Sequence, residues 1–301
     1  MKYIFVNLKR FDVPEKFGGI CPDENPKRWI EWVMDESVSN GLGELESIEV
    51  GYILPESLLI PAMERLGTYP ESVTKGISIG SQSVYRSDVE KGGNFGAFSC
   101  SLPAAAAKNM GCTWSMIGHS EERRDKIQIM NRVSQDQEGI KSAVNSMLNE
   151  EVLCALNQDI GVLLCVGETA EEKGMGSEEE QKKNVKDVLK AQLADGLKGI
   201  DKYKADARFV IGYEPIWAIG PGKTPPGKEY ISFVSEYIKE VVDEQFGFDI
   251  PVVYGGGLKE ENAPMIATID TINGGLVALT TFTIPPKFEP TALKNIIESY
   301  K

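Results

Sequence analysis

The side chains best suited to chemistry fall in four short segments, each directly after an apolar run. Asn7-Leu8-Lys9 follows Tyr3–Val6. A lysine there can neutralise an anion, and an asparagine beside it can donate to an oxygen. Ile117-Gly118-His119-Ser120-Glu121-Glu122-Arg123-Arg124 holds the one histidine of the chain. Ser120 and Glu121 are placed to cap a following helix, whose positive end would hold the imidazole neutral. Neutral imidazole can donate to a carbonyl oxygen and polarise it. The stretch from Tyr213 to Thr224 places Glu214 at the end of an apolar run, where desolvation makes a carboxylate a stronger base. Gly220, Gly222, Trp217 and flanking prolines then have the make-up of a hinged lid. Tyr254-Gly255-Gly256-Gly257 offers backbone N–H groups that can surround an anion. Singly, the lysine and the glycine turn are weak signals, because surface lysines and Gly-rich turns are common.

Elements with a definite spacing must hold these segments. Eight short apolar runs recur: Tyr3–Val6, Ile48–Ile53, Ile77–Ile79, Trp114–Ile117, Val162–Val166, Phe209–Ile211, Val252–Tyr254 and Leu276–Leu279. They lack polar alternation, as strands buried on both faces do. Amphipathic segments separate them, most clearly Glu179–Leu197 and Ile231–Phe246, and Pro290–Tyr300 closes the chain as a helix. Eightfold strand–helix alternation with right-handed crossovers predicts an α/β fold: a (β/α)₈ barrel of eight parallel strands inside a ring of helices. A doubly wound sheet is the alternative from periodicity alone. No Ser/Gly-rich linker divides the chain, so residues 1–301 are expected to form one domain. Arg10–Pro26 and Ser87–Gly96 read as long loops after strands one and three, at the barrel end where such folds keep their chemistry.

Composition excludes several classes. A formal charge of −13 argues against nucleic acid and anionic membranes as partners, so an anion site has to be built locally. The five cysteines, an odd number without a C-x-x-C pair, speak against a disulfide framework or a structural zinc site. With a single histidine, metal-hydrolase and Ser-His or Cys-His machinery must use His119 or be absent. The N-terminal apolar run is too short for a signal peptide, and no run is long enough to span a membrane. A reducing cytoplasm is the expected location.

In their order along the chain, these segments closely resemble the triosephosphate isomerase family. Asn7-x-Lys9 matches the family's N-x-K, and Gly118 to Glu121 its G-H-S-E. Cys165-Val166-Gly167-Glu168-Thr169 matches C-V-G-E-T. Tyr213 to Thr224 matches the twelve-residue lid, and Tyr254-Gly255-Gly256 the Y-G-G turn. Gln82 and Gly96-Ala97-Phe98-Ser99 are similar to the family's interface loop. The resemblance implies interconversion of dihydroxyacetone phosphate and D-glyceraldehyde 3-phosphate through an enediolate. By the same resemblance Glu214 is the proton-shuttling base, His119 the neutral electrophile, Lys9 the cation facing the enediolate and Asn7 a substrate-positioning group. Glu121 would support Lys9 and His119, while Cys165 and Glu168 would pack behind the base. Gly220, Gly256 and Gly257 would give N–H groups to the phosphate. A homodimer acting on a small phosphorylated sugar, with no cofactor and no metal, is expected.

Departures from the family cluster in two places. Gly257 replaces the serine after Y-G-G, and the end of strand eight, Gly275 to Phe282, lacks the terminal glycine pair that binds phosphate. The interface loop has Cys100-Ser101 where the family has G-E, and Glu122 stands where the family has arginine. Three readings follow: the triose reaction with a remodelled phosphate pocket, isomerisation of a longer ketose phosphate such as erythrulose phosphate, or a barrel without activity. A base under a lid has no use in a pure binding protein, and the near-complete lid favours the triose reaction.

Overall fold

The structure, a computed structural model, describes residues 1–203, 208–220, 222–282 and 286–301. Eight strands close into a barrel in chain order. They are β1 (Lys2–Asn7), β2 (Ile48–Leu54), β3 (Ile77–Ser81), β4 (Trp114–Ile117), β5 (Gly161–Val166), β6 (Phe209–Tyr213), β7 (Val252–Tyr254) and β8 (Gly274–Val277). Every neighbouring pair is parallel, and β1 closes against β8. The expected eight-stranded barrel is present.

Helices alternate with the strands. They are α1 (Pro26–Ser39), α2 (Glu56–Leu66), α3 (Ala104–Asn109), α4 (Ser120–Met130), α5 (Gln137–Asn157), α6 (Ala170–Lys173), α7 (Glu178–Gly196), α8 (Lys228–Phe246), α9 (Ala263–Ala267) and α10 (Pro290–Glu298). The apolar stripe of α8, with Ile231, Val234, Ile238 and Val241, is buried as its spacing requires.

Two apolar layers result. Inside the barrel, Phe5, Ile53, Trp114, Met116, Leu163, Val210 and Leu276 fill the lumen. The larger layer lies between strands and helices. Side chains alternate between these layers, so each strand is apolar on both faces. The barrel is therefore a packed plug, and only its rim is free for chemistry.

The eighth strand needs correction. Periodicity places it at Leu276–Leu279, but it runs over Gly274–Val277. Gly274 has φ +140°, and a Cβ there would run into the Tyr3 carbonyl, so only glycine lets β8 come up against β1. Ala278 and Leu279 thus lie beyond the strand end, at the rim, half-buried.

Candidate active site

The expected catalytic side chains come from three strand ends and converge at the rim. Asn7 is the last residue of β1, and Lys9 follows in a left-handed conformation with φ +37°. Such backbone is strained in a non-glycine residue and needs support. Asn7 Oδ1 accepts the Lys9 N–H at 2.9 Å, and Gln82 Nε2 donates to the Lys9 carbonyl at 2.7 Å and to Asn7 Oδ1 at 3.1 Å. The Lys9 ammonium is thereby aimed at Glu121 Oε1, 2.8 Å away. Burial of the Glu121 carboxyl would raise its pKa, but Lys9 outweighs this and holds it below the usual carboxylate range.

His119 follows β4 and caps α4 with its own ring. Its Nδ1 accepts the Glu121 N–H at 3.3 Å. Ser120 is the first helical residue, so the cap expected of Ser120 and Glu121 belongs to His119. A ring whose Nδ1 accepts a hydrogen bond is neutral and carries its proton on Nε2. That proton points to Glu214 Oε1, 3.2 Å away. Among donors and acceptors, the ring is thus both oriented and fixed in one tautomer.

Glu214 directly follows β6 and is 3% exposed. Its backbone N–H donates to the Val166 carbonyl at 2.8 Å, which ties it to the end of β5. One carboxylate oxygen accepts the Ser120 N–H at 2.9 Å, at the positive end of α4. Two glycines make room for it. A Cβ on Gly167 would run into the Glu214 carbonyl, and one on Gly255 would press on Glu214 Cγ at 3.1 Å.

Behind this constellation lies a buried guanidinium. Arg123 Nε donates to the Gly118 carbonyl at 2.9 Å, and Nη2 donates to the Cys165 carbonyl at 2.9 Å. Nη1 reaches Asn145 Oδ1 at 2.9 Å. Arg123 therefore clamps the ends of β4 and β5 together. The Cys165 thiol lies in the barrel lumen, where burial and the nearby Glu214 push its pKa up. It packs among the apolar side chains of the lumen.

Glu168 braces the lid rather than the base. It is wholly buried, and burial pushes its carboxyl up. Trp217 Nε1 donates to it at 2.7 Å, Tyr230 OH at 2.9 Å and Tyr213 OH at 3.1 Å. Its carbonyl accepts the Ile216 N–H at 3.1 Å. The Lys173 ammonium sits 3.6 Å above the Trp217 ring. The lid foot is a short 3₁₀ turn, Ile216–Ala218, and Gly220 and Gly222 then take positive φ. Pro221, within the expected lid tip, lies outside the described residues.

The side expected to hold phosphate is built differently. Gly220 lines a cleft of about 960 Å³ together with Lys9, His119 and Ser120. Gly256 and Gly257 form the turn after β7, Gly257 with φ +87°. Tyr254 OH donates to the Gly256 carbonyl at 2.9 Å, and Asn262 Nδ2 donates to that of Gly257 at 3.0 Å, so this turn is anchored. After β8, Ala278-Leu279 leads into a hairpin in which the Thr280 and Thr281 N–H groups donate to the Lys287 carbonyl, both at 3.1 Å. Those two amides are thus committed to the hairpin.

Sequence reasoning missed three supports: Arg123, Gln82 as the brace of Lys9, and Gln192. The last clamps the Gly167 peptide through two hydrogen bonds of 2.9 and 3.0 Å. Each acts across elements far apart in the chain, which local spacing cannot reveal. Gln192 on the apolar face of α7 was the available signal, since a polar residue there needs a buried partner. Among the described residues, no cluster of metal-ligating side chains occurs, and no helix is long and apolar enough to cross a membrane.

Known proteins share this chain's pattern. The family model described as triosephosphate isomerase matches residues 34–286. The triosephosphate isomerase of Lawsonia intracellularis is 30% identical over 257 residues, 82% of this chain and 89% of that protein. That of Chlamydia muridarum is 26% identical over 89% of this chain and 92% of its own length. Among solved structures, triosephosphate isomerase from Bartonella henselae superposes with a TM-score of 0.67 at 22% identity, covering 99% of this chain and 98% of that one. That last likeness concerns the fold.

Proposed function

The chain belongs to the triosephosphate isomerase family, and from that premise we propose that it interconverts dihydroxyacetone phosphate and D-glyceraldehyde 3-phosphate with Glu214 as the base. The reaction is an intramolecular aldose–ketose isomerisation, a step of glycolysis. The observation that carries the assignment of roles is the contact between a neutral His119 Nε2–H and a buried Glu214 carboxylate at 3.2 Å, beside Lys9.

Glu214 takes a proton from the carbon next to the substrate carbonyl. The C–H electron pair becomes a C=C bond, and the carbonyl oxygen takes up negative charge. The His119 Nε2–H and the Lys9 ammonium face that oxygen and stabilise the enediolate. Within the enediolate the proton of the adjacent hydroxyl passes to the former carbonyl oxygen, which moves the negative charge to the other oxygen. Glu214, now protonated, returns its proton to the former carbonyl carbon as the C=O bond forms at the neighbouring one. In the free protein His119 and the Ser120 N–H both engage Glu214. Substrate must therefore replace Glu214 as the acceptor of the His119 proton, which releases the base towards carbon. Asn7 helps seat the substrate, and the N–H groups of Gly220, Gly256 and Gly257 hold its phosphate. This chemistry asks for no metal or organic cofactor.

We also propose that one domain carries the whole site, and that the protein works as a cytoplasmic homodimer. The test is steady-state turnover of the two triose phosphates, with Glu214→Gln as control. Efficient turnover lost in the variant supports the roles. Equal turnover by the variant removes Glu214 from the mechanism.

A further inference from the structure

Directly behind His119 lies a half-buried cluster that the mechanism does not use. Glu122 Oε2 accepts the Gly118 N–H at 2.7 Å. Its other oxygen accepts from Lys126 Nζ at 2.7 Å and from Ser83 Oγ at 3.1 Å. Lys126 also reaches Glu151 Oε1 on α5 at 3.0 Å, and Ser83 reaches Glu151 Oε2 at 3.3 Å. Two carboxylates thus share one ammonium and one hydroxyl. Glu151 is 3% exposed, and burial together with Glu122 pushes its carboxyl up to about 8. Burial would raise Glu122 as well, but Lys126 holds it low. Near neutrality the charge of the pair therefore rests on Glu122.

The Gly118 peptide is consequently held at both ends. Its N–H goes to Glu122, and its carbonyl goes to Arg123. Gly118 has φ +75°, and a Cβ there would lie 3.0 Å from both Arg123 Nη2 and the Cys165 carbonyl. The backbone that delivers His119 is therefore tightly constrained. By the resemblance noted above, position 122 is also where the family carries an arginine.

We propose that Glu122 is a positioning residue for the isomerisation, which fixes the Gly118 N–H through a charge balanced by Lys126, Ser83 and Glu151 and so sets the placement of the His119 ring. The inference rests on His119 acting as the electrophile. An acceptor of the same size is not sufficient. In Glu122→Gln, the Lys126 ammonium and Ser83 claim the single amide oxygen, and the amide NH₂ is turned towards the Gly118 N–H. Two donors then face each other, and the Gly118 N–H loses its acceptor.

The experiment combines kinetics with NMR of the one histidine ring, whose signals need no assignment among others. Glu122→Gln is expected to lower kcat about tenfold with KM changed less than about twofold, because a small misplacement of a catalytic group acts on turnover first. The His119 ring resonances should move in the free protein. Adding Lys126→Met frees the amide oxygen to turn back to Gly118, and both kcat and the ring resonances should return most of the way. A folded Glu122→Gln with unaltered kcat and unmoved His119 signals overturns the proposal, and so does a loss that Lys126→Met fails to rescue. Independently of any variant, the Gly118 amide of the unaltered protein should exchange slowly with solvent. Rapid exchange there would also overturn it. Absence of isomerase activity in the unaltered protein would sink the proposed function instead, while the ring signals would still decide the role of Glu122.

Discussion

The rim of the barrel has two halves that are built differently, one from side chains and one from backbone turns. Around β1, β4 and β6, each expected catalytic residue is fixed through backbone or side chain: the Lys9 backbone by Asn7 and Gln82 and its ammonium by Glu121, the His119 ring by the Glu121 N–H, the Glu214 backbone by Val166 and its carboxylate by the Ser120 N–H. Around β7 and β8, on the roles proposed above, anion binding would fall to backbone N–H groups. There the end of strand eight lacks a glycine pair, and the Thr280 and Thr281 amides beyond Ala278-Leu279 are committed to the Lys287 carbonyl. Proton transfer demands groups placed within a fraction of an ångström, so that half tolerates little change. An anion site needs only enough amides at the right distance, and a turn can be rebuilt to supply them. The difference predicts that variants of the first half act on kcat and variants of the second on KM.

The largest effect belongs to Glu214→Gln, expected to reduce kcat roughly a thousandfold. His119→Gln comes next, with a loss of roughly a hundredfold, because a preorganised donor to the developing oxyanion is removed. Steady-state kinetics check both. A change confined to KM in either variant would break the division between the halves. Trp217→Phe deletes the 2.7 Å bond from the lid foot to Glu168 and leaves that buried carboxyl with its two tyrosines. If the segment closes over substrate as proposed for a lid, it touches both halves, so kcat and KM should worsen together, by about tenfold in kcat/KM.

The first half was legible in the chain because its residues follow apolar runs directly, and a strand end aims its last side chains in a known direction. Glu214, His119 and Lys9 needed only that rule and a matching motif. The supports were not legible, since Arg123 joins Gly118 to Cys165 across β4 and β5, and Gln192 reaches Gly167 from a helix. Such pairings follow from barrel closure, not from spacing. The misplaced eighth strand has the opposite cause. Gly274-Gly275 reads as a break in a strand pattern, yet here glycine is what allows β8 to approach β1.

The phosphate half can be probed by restoring what it lacks. Leu279 lies half-buried at the rim, past the end of β8. A leucine amide can meet an anion, but its side chain limits how near the backbone comes. Ala278→Gly with Leu279→Gly is therefore expected to lower KM for the triose phosphates several-fold and to leave kcat nearly unchanged. If KM stays put, the phosphate does not lie against this turn, and the amides of Gly220, Gly256 and Gly257 carry it alone.

The smallest effect concerns stability and falls on Glu151, in the cluster behind His119. Glu151 is pushed up to about 8 from an ordinary value of 4.5, first by burial and then by Glu122. Between these values the folded protein holds a proton that the unfolded chain releases. Folding therefore takes up a proton, and the stability this provides, full below pH 4.5, is lost as pH rises through about 8. Glu151→Gln mimics the protonated form and cannot titrate, so it should lessen the fall in Tm between pH 6 and 9, by about a few degrees for a chain of this size. Thermal unfolding at the two pH values measures this. An identical fall in both proteins would show that Glu151 is already ionised at pH 6 and that Lys126 serves both carboxylates at once.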